Sequence, residues 1–307
     1  MAPTVKPVKA GYWNLFRPWT LHGAVAPVLM GGAVAFTLID VNILNVGIFI
    51  LILIGACLFQ SAANILNTYG DFKKGTDTVE NETRSPELVT GALTPDQVRN
   101  MGLLCLGLIC IIGIVLMFHR GWGLLIYGTI GIFGVTMYTL GASYKYLGLG
   151  QLSVFINFGF LMPLGTYYTL TGDWFSWNVF FLSIPNAMMI TGVLAGNELR
   201  DYYEDKKANV GTLSGHMRYG TAMKLYLIES LGSFVALAIL IITQLVPWGC
   251  ALAFITLYDA YILYKNSKNA HDDPHSGFML VPLCFKLNWH FGVLLVVGYL
   301  CAMFIHI

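Results

Sequence analysis

The chain of 307 residues is 56% hydrophobic and only 11% charged, against about 25% charged for an average soluble domain. A mean hydropathy of +0.67 excludes an ordinary water-soluble enzyme. Seventeen Lys and Arg against 16 Asp and Glu leave no basic face for nucleic acid. What remains is an integral membrane protein, and its class follows from the apolar runs.

Lys6, Lys9 and Arg17 precede the first run, as in a signal peptide. That run, from about Leu21 to Ile39, is long enough to span a bilayer and is read as a retained helix. A hydrocarbon core needs about 20 apolar residues as helix. On that measure spans are predicted near 20–39, 45–66, 101–118, 121–142, 151–171, 176–196, 223–244, 246–264 and 285–306. None alternates as a transmembrane strand would, so the fold class is all-α, a polytopic protein of nine transmembrane helices in one domain, 1–307. Pro27 and Pro163 are tolerated where neighbouring helices satisfy the freed backbone groups. The cysteines at 57, 105, 110, 250, 284 and 301 form no CxxC pair and read as packing residues.

Nine spans place 16 of the 17 basic residues on one side of the membrane, Lys286 counted among them, and leave only Arg120 on the other. By the positive-inside rule that side is cytoplasmic. It holds the N-terminus, the loop bearing Lys145 and two long polar caps, about 67–100 and 197–222.

Those caps answer each other. The first opens Asn67-Thr-Tyr-Gly-Asp71 and continues to Asp77; the second reads Asn197-Glu-Leu-Arg-Asp201 and continues to Asp205. A four-residue spacing puts amide and carboxylate on one helix face. Carboxylates converging at a membrane rim repel unless cations neutralise them. Oxygen ligands without Cys or His favour Mg²⁺, which takes one or two carboxylates and completes its shell with water and phosphate. Such a pair of faces suits a diphosphate held between metal ions, with Lys and Arg neutralising a departing pyrophosphate. The bland alternative, solvated charges at helix ends, suits any one Asp better than two matched clusters.

At these residues the sequence resembles the UbiA superfamily of intramembrane prenyltransferases. The likeness includes Arg17-Pro-Trp-Thr-Leu21, both Asp motifs, Lys145, Leu147-Gly-Leu-Gly-Gln-Leu152 and Gly211-Thr-Leu. Within it, Asn67 to Asp77 and the tail Lys286-Leu-Asn-Trp-His-Phe291 look most like the 1,4-dihydroxy-2-naphthoate polyprenyltransferases of menaquinone synthesis. The resemblance implies helices around a central cavity in a bacterial or archaeal cell membrane, and Mg²⁺-dependent transfer of a polyprenyl chain from its diphosphate to an aromatic acceptor. It assigns the metal to Asp71, Asp77, Asp201, Asp205, Asn67 and Asn197. Asn67, Asn197, Lys145, Arg84 and Arg200 would bind the diphosphate; Arg17, Tyr144 and Gln151 would meet the acceptor.

The sequence also departs from the family pattern. Thr68 stands where many members have a further Asp, and Gln151 where the naphthoate branch usually has Asp or Glu. Arg84-Ser-Pro is all that remains of an arginine-rich patch, and 212–220 is atypical. Acceptors such as 4-hydroxybenzoate or homogentisate stay open, as does a cation-coupled transporter, though transporter ion sites usually lie near the midplane. The Asp-Gly-Ala-Arg signature of CDP-alcohol phosphotransferases is absent. Glu229, Asp259 and His290 fall inside predicted spans, where ionisable groups invite a functional reading or simply pair. The sequence is silent on oligomeric state.

Overall fold

The computed structural model describes residues 10–75, 86–139, 144–207 and 209–304, without the side chains of Val135, Tyr138, Thr139, Tyr144, Tyr146 and Phe304. Every described element is helical. In chain order they are α1 (Tyr12–Phe16), α2 (His22–Phe36), α3 (Ile43–Lys73), α4 (Pro86–Val89), α5 (Pro95–Arg120) and α6 (Leu124–Thr139). Then come α7 (Gly150–Ile156), α8 (Met162–Thr171), α9 (Trp177–Arg200), α10 (Tyr202–Lys207), α11 (Tyr219–Ile242), α12 (Leu257–Ser267) and α13 (Pro274–Phe304).

Five of these, α3, α5, α9, α11 and α13, are long and apolar enough to cross a membrane. Counting the bent pair Tyr12–Thr20 and His22–Phe36 as one span makes six. The other three expected spans are shorter or interrupted. α6 has 16 residues, a π-helical turn at Asn157–Leu161 joins α7 to α8, and a 3-10 stretch at Trp248–Thr256 runs into α12. Nine expected stretches therefore all contain helix, and among the described residues five, or six with the bent pair, are long enough to span as they stand. Two boundaries also move. α3 continues past Asp71 to Lys73, and α13 starts at Pro274, eleven residues before the expected 285. The polar last turns of α3 and first turns of α13 hide this in a hydropathy reading.

The ends are set by local chemistry. Thr94 and Gln97 form a reciprocal capping box at α5, with Pro95 at the first helical position. Gly121 and Gly172 close α5 and α8 at φ values of 101° and 92°, where a side chain would be strained. Arg120, alone on its side of the sequence-derived topology, donates from Nε to the Thr169 carbonyl at 2.8 Å and from Nη2 to that of Leu170. It thereby satisfies carbonyls at the end of α8 that have no partner within the helix. Tyr127, Tyr168 and Trp174 stack beside it. At the opposite pole the 3-10 turn Tyr144–Leu147 meets the end of α3, through Lys145 and Asp71.

Burial is uneven. In its most apolar stretch α9 is 72% buried, against 11% for α3 and 17% for α5. The core therefore forms around α9, where Leu182 and Met189 meet Leu237 of α11 and Leu287 and Phe291 of α13. Exposed Ile50, Ile54, Ile111, Val115 and Phe118 on α3 and α5 would be costly in water and suit hydrocarbon.

Small residues let the inner helices approach. A Cβ on Gly192 of α9 would lie 2.5 Å from Ser230 Oγ of α11, and one on Gly31 of α2 would overlap the Pro163 carbonyl of α8. Gly31→Ala is expected to lower stability by about 1–3 kcal/mol, since backbone cannot yield as a flexible side chain can. Gly107→Ala, whose Cβ meets nothing within 4 Å, should be neutral or slightly stabilising. Thermal unfolding of the detergent-solubilised variants distinguishes the two.

Candidate active site

Because α3 extends to Lys73, the first motif lies on helix rather than loop. The four-residue stacking holds: Asn67 Nδ2 donates to Asp71 Oδ2 at 2.9 Å. Lys145, on the 3-10 turn Tyr144–Leu147, closes over both. Its Nζ lies 3.0 Å from Asn67 Oδ1 and 3.0 and 2.9 Å from the two Asp71 oxygens. Lys74 stands nearby. Burial holds its ammonium below the usual lysine range, Asp71 opposing and Lys145 adding to the shift.

The second motif is built at the end of α9. Arg200 grips Asp201 through two bonds, Nε to Oδ1 and Nη2 to Oδ2, both 2.8 Å. Asp201 also caps α9, its N–H reaching the Asn197 carbonyl. The chain resumes as α10, which carries the buried Asp205. Lys206 turns away, its Nζ 2.7 Å from the Tyr202 hydroxyl and over that ring.

Both motifs open on one cavity of about 660 Å³, whose wall includes Asn67, Asp71, Lys145, Asn197, Arg200, Asp201 and Asp205. Deeper along the same helices the wall turns apolar, with Phe59 on α3 and Ile190, Val193 and Leu194 on α9. Phe158 and Phe285 join it from the π turn and α13. The result is a charged mouth over an apolar chamber.

Among the described residues no three Asp, Glu, His or Cys side chains converge as a ready-made metal cage. The donor set still suits Mg²⁺. Carboxylate oxygens of Asp71, Asp201 and Asp205 and amides of Asn67 and Asn197 share one cavity, and Mg²⁺ asks for one or two carboxylates with phosphate and water.

The remaining expected residues divide. Asp77 and Arg84 lie outside the described residues, and so does the side chain of Tyr144. Arg17 lines the cavity in a left-handed conformation (φ 49°) and donates from Nη2 to Thr68 Oγ1 at 3.2 Å. Thr68 thus gives Arg17 a neutral acceptor. Gln151 does not reach the cavity wall. It is 2% exposed and donates instead to Glu198 Oε2 at 2.8 Å.

Two acids on the wall had no sequence signal of their own. Glu198 was hidden inside the second motif, and Glu87 follows a weak Arg84-Ser-Pro segment at the start of α4. Asn157 and His22 also line the cavity, each with a buried polar atom that has no partner among the described residues. Glu229 is part of no such wall. Asp259 pairs with Lys286 at 2.9 Å and His290 at 2.6 Å. Lys286 sits twelve residues into α13, about 18 Å along its axis, and lines the same cavity.

The UbiA prenyltransferase family model matches residues 24–281. The 1,4-dihydroxy-2-naphthoate octaprenyltransferase of Bacillus subtilis (strain 168) is 27% identical over 294 residues, covering 95% of this chain and 93% of its own. A UbiA prenyltransferase domain-containing protein 1 homolog of Drosophila melanogaster is 30% identical, covering 95% of this chain and 79% of its own. Among solved structures, the apo form of a UbiA homolog from Aeropyrum pernix K1 superimposes with a TM-score of 0.67 at 15% identity, covering 92% of this chain and 98% of its own. A UbiA homolog from Archaeoglobus fulgidus bound to GPP and Mg²⁺ gives 0.58 at 15% identity, covering 93% and 99%.

Glu87 offers a pH test of the cavity wall. It is 2% exposed, and burial pushes its carboxyl above the ordinary 4.5 despite backbone bonds and Arg17 pulling the other way. An acid with a raised folded pKa binds more protons folded than unfolded, so stability falls as pH rises through and above 4.5. Glu87→Gln removes that loss. Its melting temperature relative to the parent should therefore rise between pH 4.5 and pH 8; a pH-independent difference contradicts the assignment.

Proposed function

The chain belongs to the UbiA prenyltransferase family, and from that premise we propose that it transfers a polyprenyl chain from an allylic diphosphate to 1,4-dihydroxy-2-naphthoate, with Mg²⁺ at the diphosphate. The observation that carries the reading is the meeting of Asn67, Asp71 and Lys145 with Asn197, Arg200, Asp201 and Asp205 over an apolar chamber. The Archaeoglobus fulgidus homolog's GPP and Mg²⁺ support the donor class and the metal, and the Bacillus subtilis relative supports the acceptor.

In this reading Asp71, Asp201 and Asp205, with Asn67 and Asn197, would hold Mg²⁺, which would supply positive charge to the leaving diphosphate. Lys145 has three N–H donors and Arg200 five, so each can keep its carboxylate and still offer donors to a phosphate oxygen. The allylic C–O bond breaks with its electron pair leaving on the diphosphate. Phe59, Phe158 and Phe285 present ring faces suited to a transient allylic cation and exclude water from it. The electron-rich ring supplies the pair for the new C–C bond, and the ring carbon that forms it then loses its proton, or its carboxylate as CO₂, the pair of the broken bond restoring the aromatic ring. Arg17 at the cavity edge is placed for the acceptor carboxylate. The motif-bearing pole faces the cytoplasm, where the basic residues gather.

The test is pyrophosphate release and product formation by the purified protein with Mg²⁺, geranylgeranyl diphosphate and dihydroxynaphthoate. Asp71→Ala and Asp201→Ala should each cost about 10²–10³-fold in kcat, the scale for removing one electrostatic stabiliser. Prenylation of hydroxybenzoate but not dihydroxynaphthoate would move the acceptor assignment. No pyrophosphate from a folded protein with any phenol would sink the reading.

A further inference from the structure

Glu198 is a buried carboxylate on the cavity wall, 4% exposed, with no cation at ion-pair distance among the described residues. Three neutral donors converge on one of its oxygens. Gln151 Nε2 lies 2.8 Å from Oε2, the Ser214 N–H 3.0 Å and Ser214 Oγ 2.7 Å. Gln151 comes from α7 and Ser214 from the 3-10 turn Ser214–His216, so two separate segments fix the plane of the carboxylate. No donor among the described residues is assigned to Oε1.

A carboxylate oxygen only accepts, so whatever meets Oε1 in the cavity has to donate. The prenyl donor does not fit that need, because its chain is hydrocarbon and its diphosphate oxygens are acceptors. A phenolic hydroxyl does. Position matters as well. Glu198 follows Asn197 and precedes Asp201 by three residues on the last turn of α9, so it shares a face with the diphosphate anchor. A ring held there by its hydroxyl lies beside the carbon that the diphosphate leaves.

From this geometry we infer that Glu198 is a specificity-determining residue: it accepts a hydrogen bond from the hydroxyl of the aromatic acceptor and so sets which ring position faces the allylic carbon. Gln151 and Ser214 are positioning residues that act through it. The inference rests on the prenyl-transfer reading above and adds to it the group that reads the acceptor.

Glu198→Gln is a polarity inversion. Gln151 and Ser214 would claim the amide oxygen, turning the NH₂ into the cavity, where a donor would face the hydroxyl donor. The expected result is a rise in KM for dihydroxynaphthoate and a loss of about 10–100-fold in kcat/KM, the range for a hydrogen bond to a charged group. Mg²⁺-dependent binding of geranylgeranyl diphosphate should be unchanged. The same pair of proteins is then given the mono-O-methyl ethers of the acceptor, which cannot donate from that oxygen. The parent should reject the ether that lacks the recognised hydroxyl, and the variant should discriminate far less between it and the free hydroxyl.

Glu198→Asp keeps the charge but withdraws it by one methylene, and should lose part of the hydroxyl preference with donor binding intact. Gln151→Leu should shift KM in the same direction, by less. Equal losses on hydroxyl and methyl-ether acceptors in both Glu198 variants would reduce the residue to packing and overturn the inference. Loss of Mg²⁺-dependent donor binding in Glu198→Gln would place it among the cation ligands and overturn it too. A parent that transfers no prenyl group to any phenol overturns the prenyl-transfer reading itself, and this assignment with it.

Discussion

Carboxylates at the end of an apolar helix have to be neutralised, and how this chain does so organises everything around them. Two like charges 4 Å apart repel by about 4 kcal/mol where the effective dielectric is 20. Asp71 and Asp201 share one cavity, so each needs a counter-charge even before substrate arrives. Lys145 supplies one from a turn 74 residues away in sequence, and Arg200 the other from the adjacent position. The first compensation ties the 3-10 turn Tyr144–Leu147 to the end of α3; the second stays at the end of α9. The mouth of the cavity is therefore held electrostatically as much as by packing, and the same basic groups stand where a diphosphate would bring its own negative charge.

α9 concentrates the consequences. It is the most buried of the long apolar helices, its small residues admit α11, and its final turn carries Asn197, Glu198, Arg200 and, as its cap, Asp201. The residues proposed to hold the diphosphate and the one proposed to read the ring thus share one helix end. A helix locked on most sides is a rigid mounting, which is what a reaction needs when it joins two carbons held by different contacts.

Much of this was legible beforehand, for identifiable reasons. Hydropathy found the stretches that became helix, because apolar length is local information. The Asn67–Asp71 pairing was readable from spacing alone, because a helix fixes what stands one turn away. Family resemblance offered Lys145 for the diphosphate, but its contact with Asp71 was not legible, since nothing local joins positions so far apart. What hydropathy missed are helical turns with polar sequences, at the end of α3 and the start of α13, where tertiary contacts sustain helix that an apolar count ends too early. Gln151 was expected at the acceptor and is found behind Glu198, off the cavity wall, because the sequence does not tell a wall residue from the one behind it. Glu198 escaped notice because its neighbours in the motif were the more conspicuous ligands.

The outward faces of α3 and α5 have a different bearing. An inner residue such as Met189 is answered by particular atoms on α11 and α13, whereas Ile111 or Phe118 meets only fluid acyl chains with no fixed shape. Any apolar side chain serves there about as well as another, so substitutions among Leu, Ile, Val and Phe carry little penalty. Over long divergence the periphery is free to wander while α9 and the charged rim stay under constraint. Chains of this kind can thus lose most of their recognisable sequence and keep their backbone, the erosion being confined to the surface that the lipid reads only as oil.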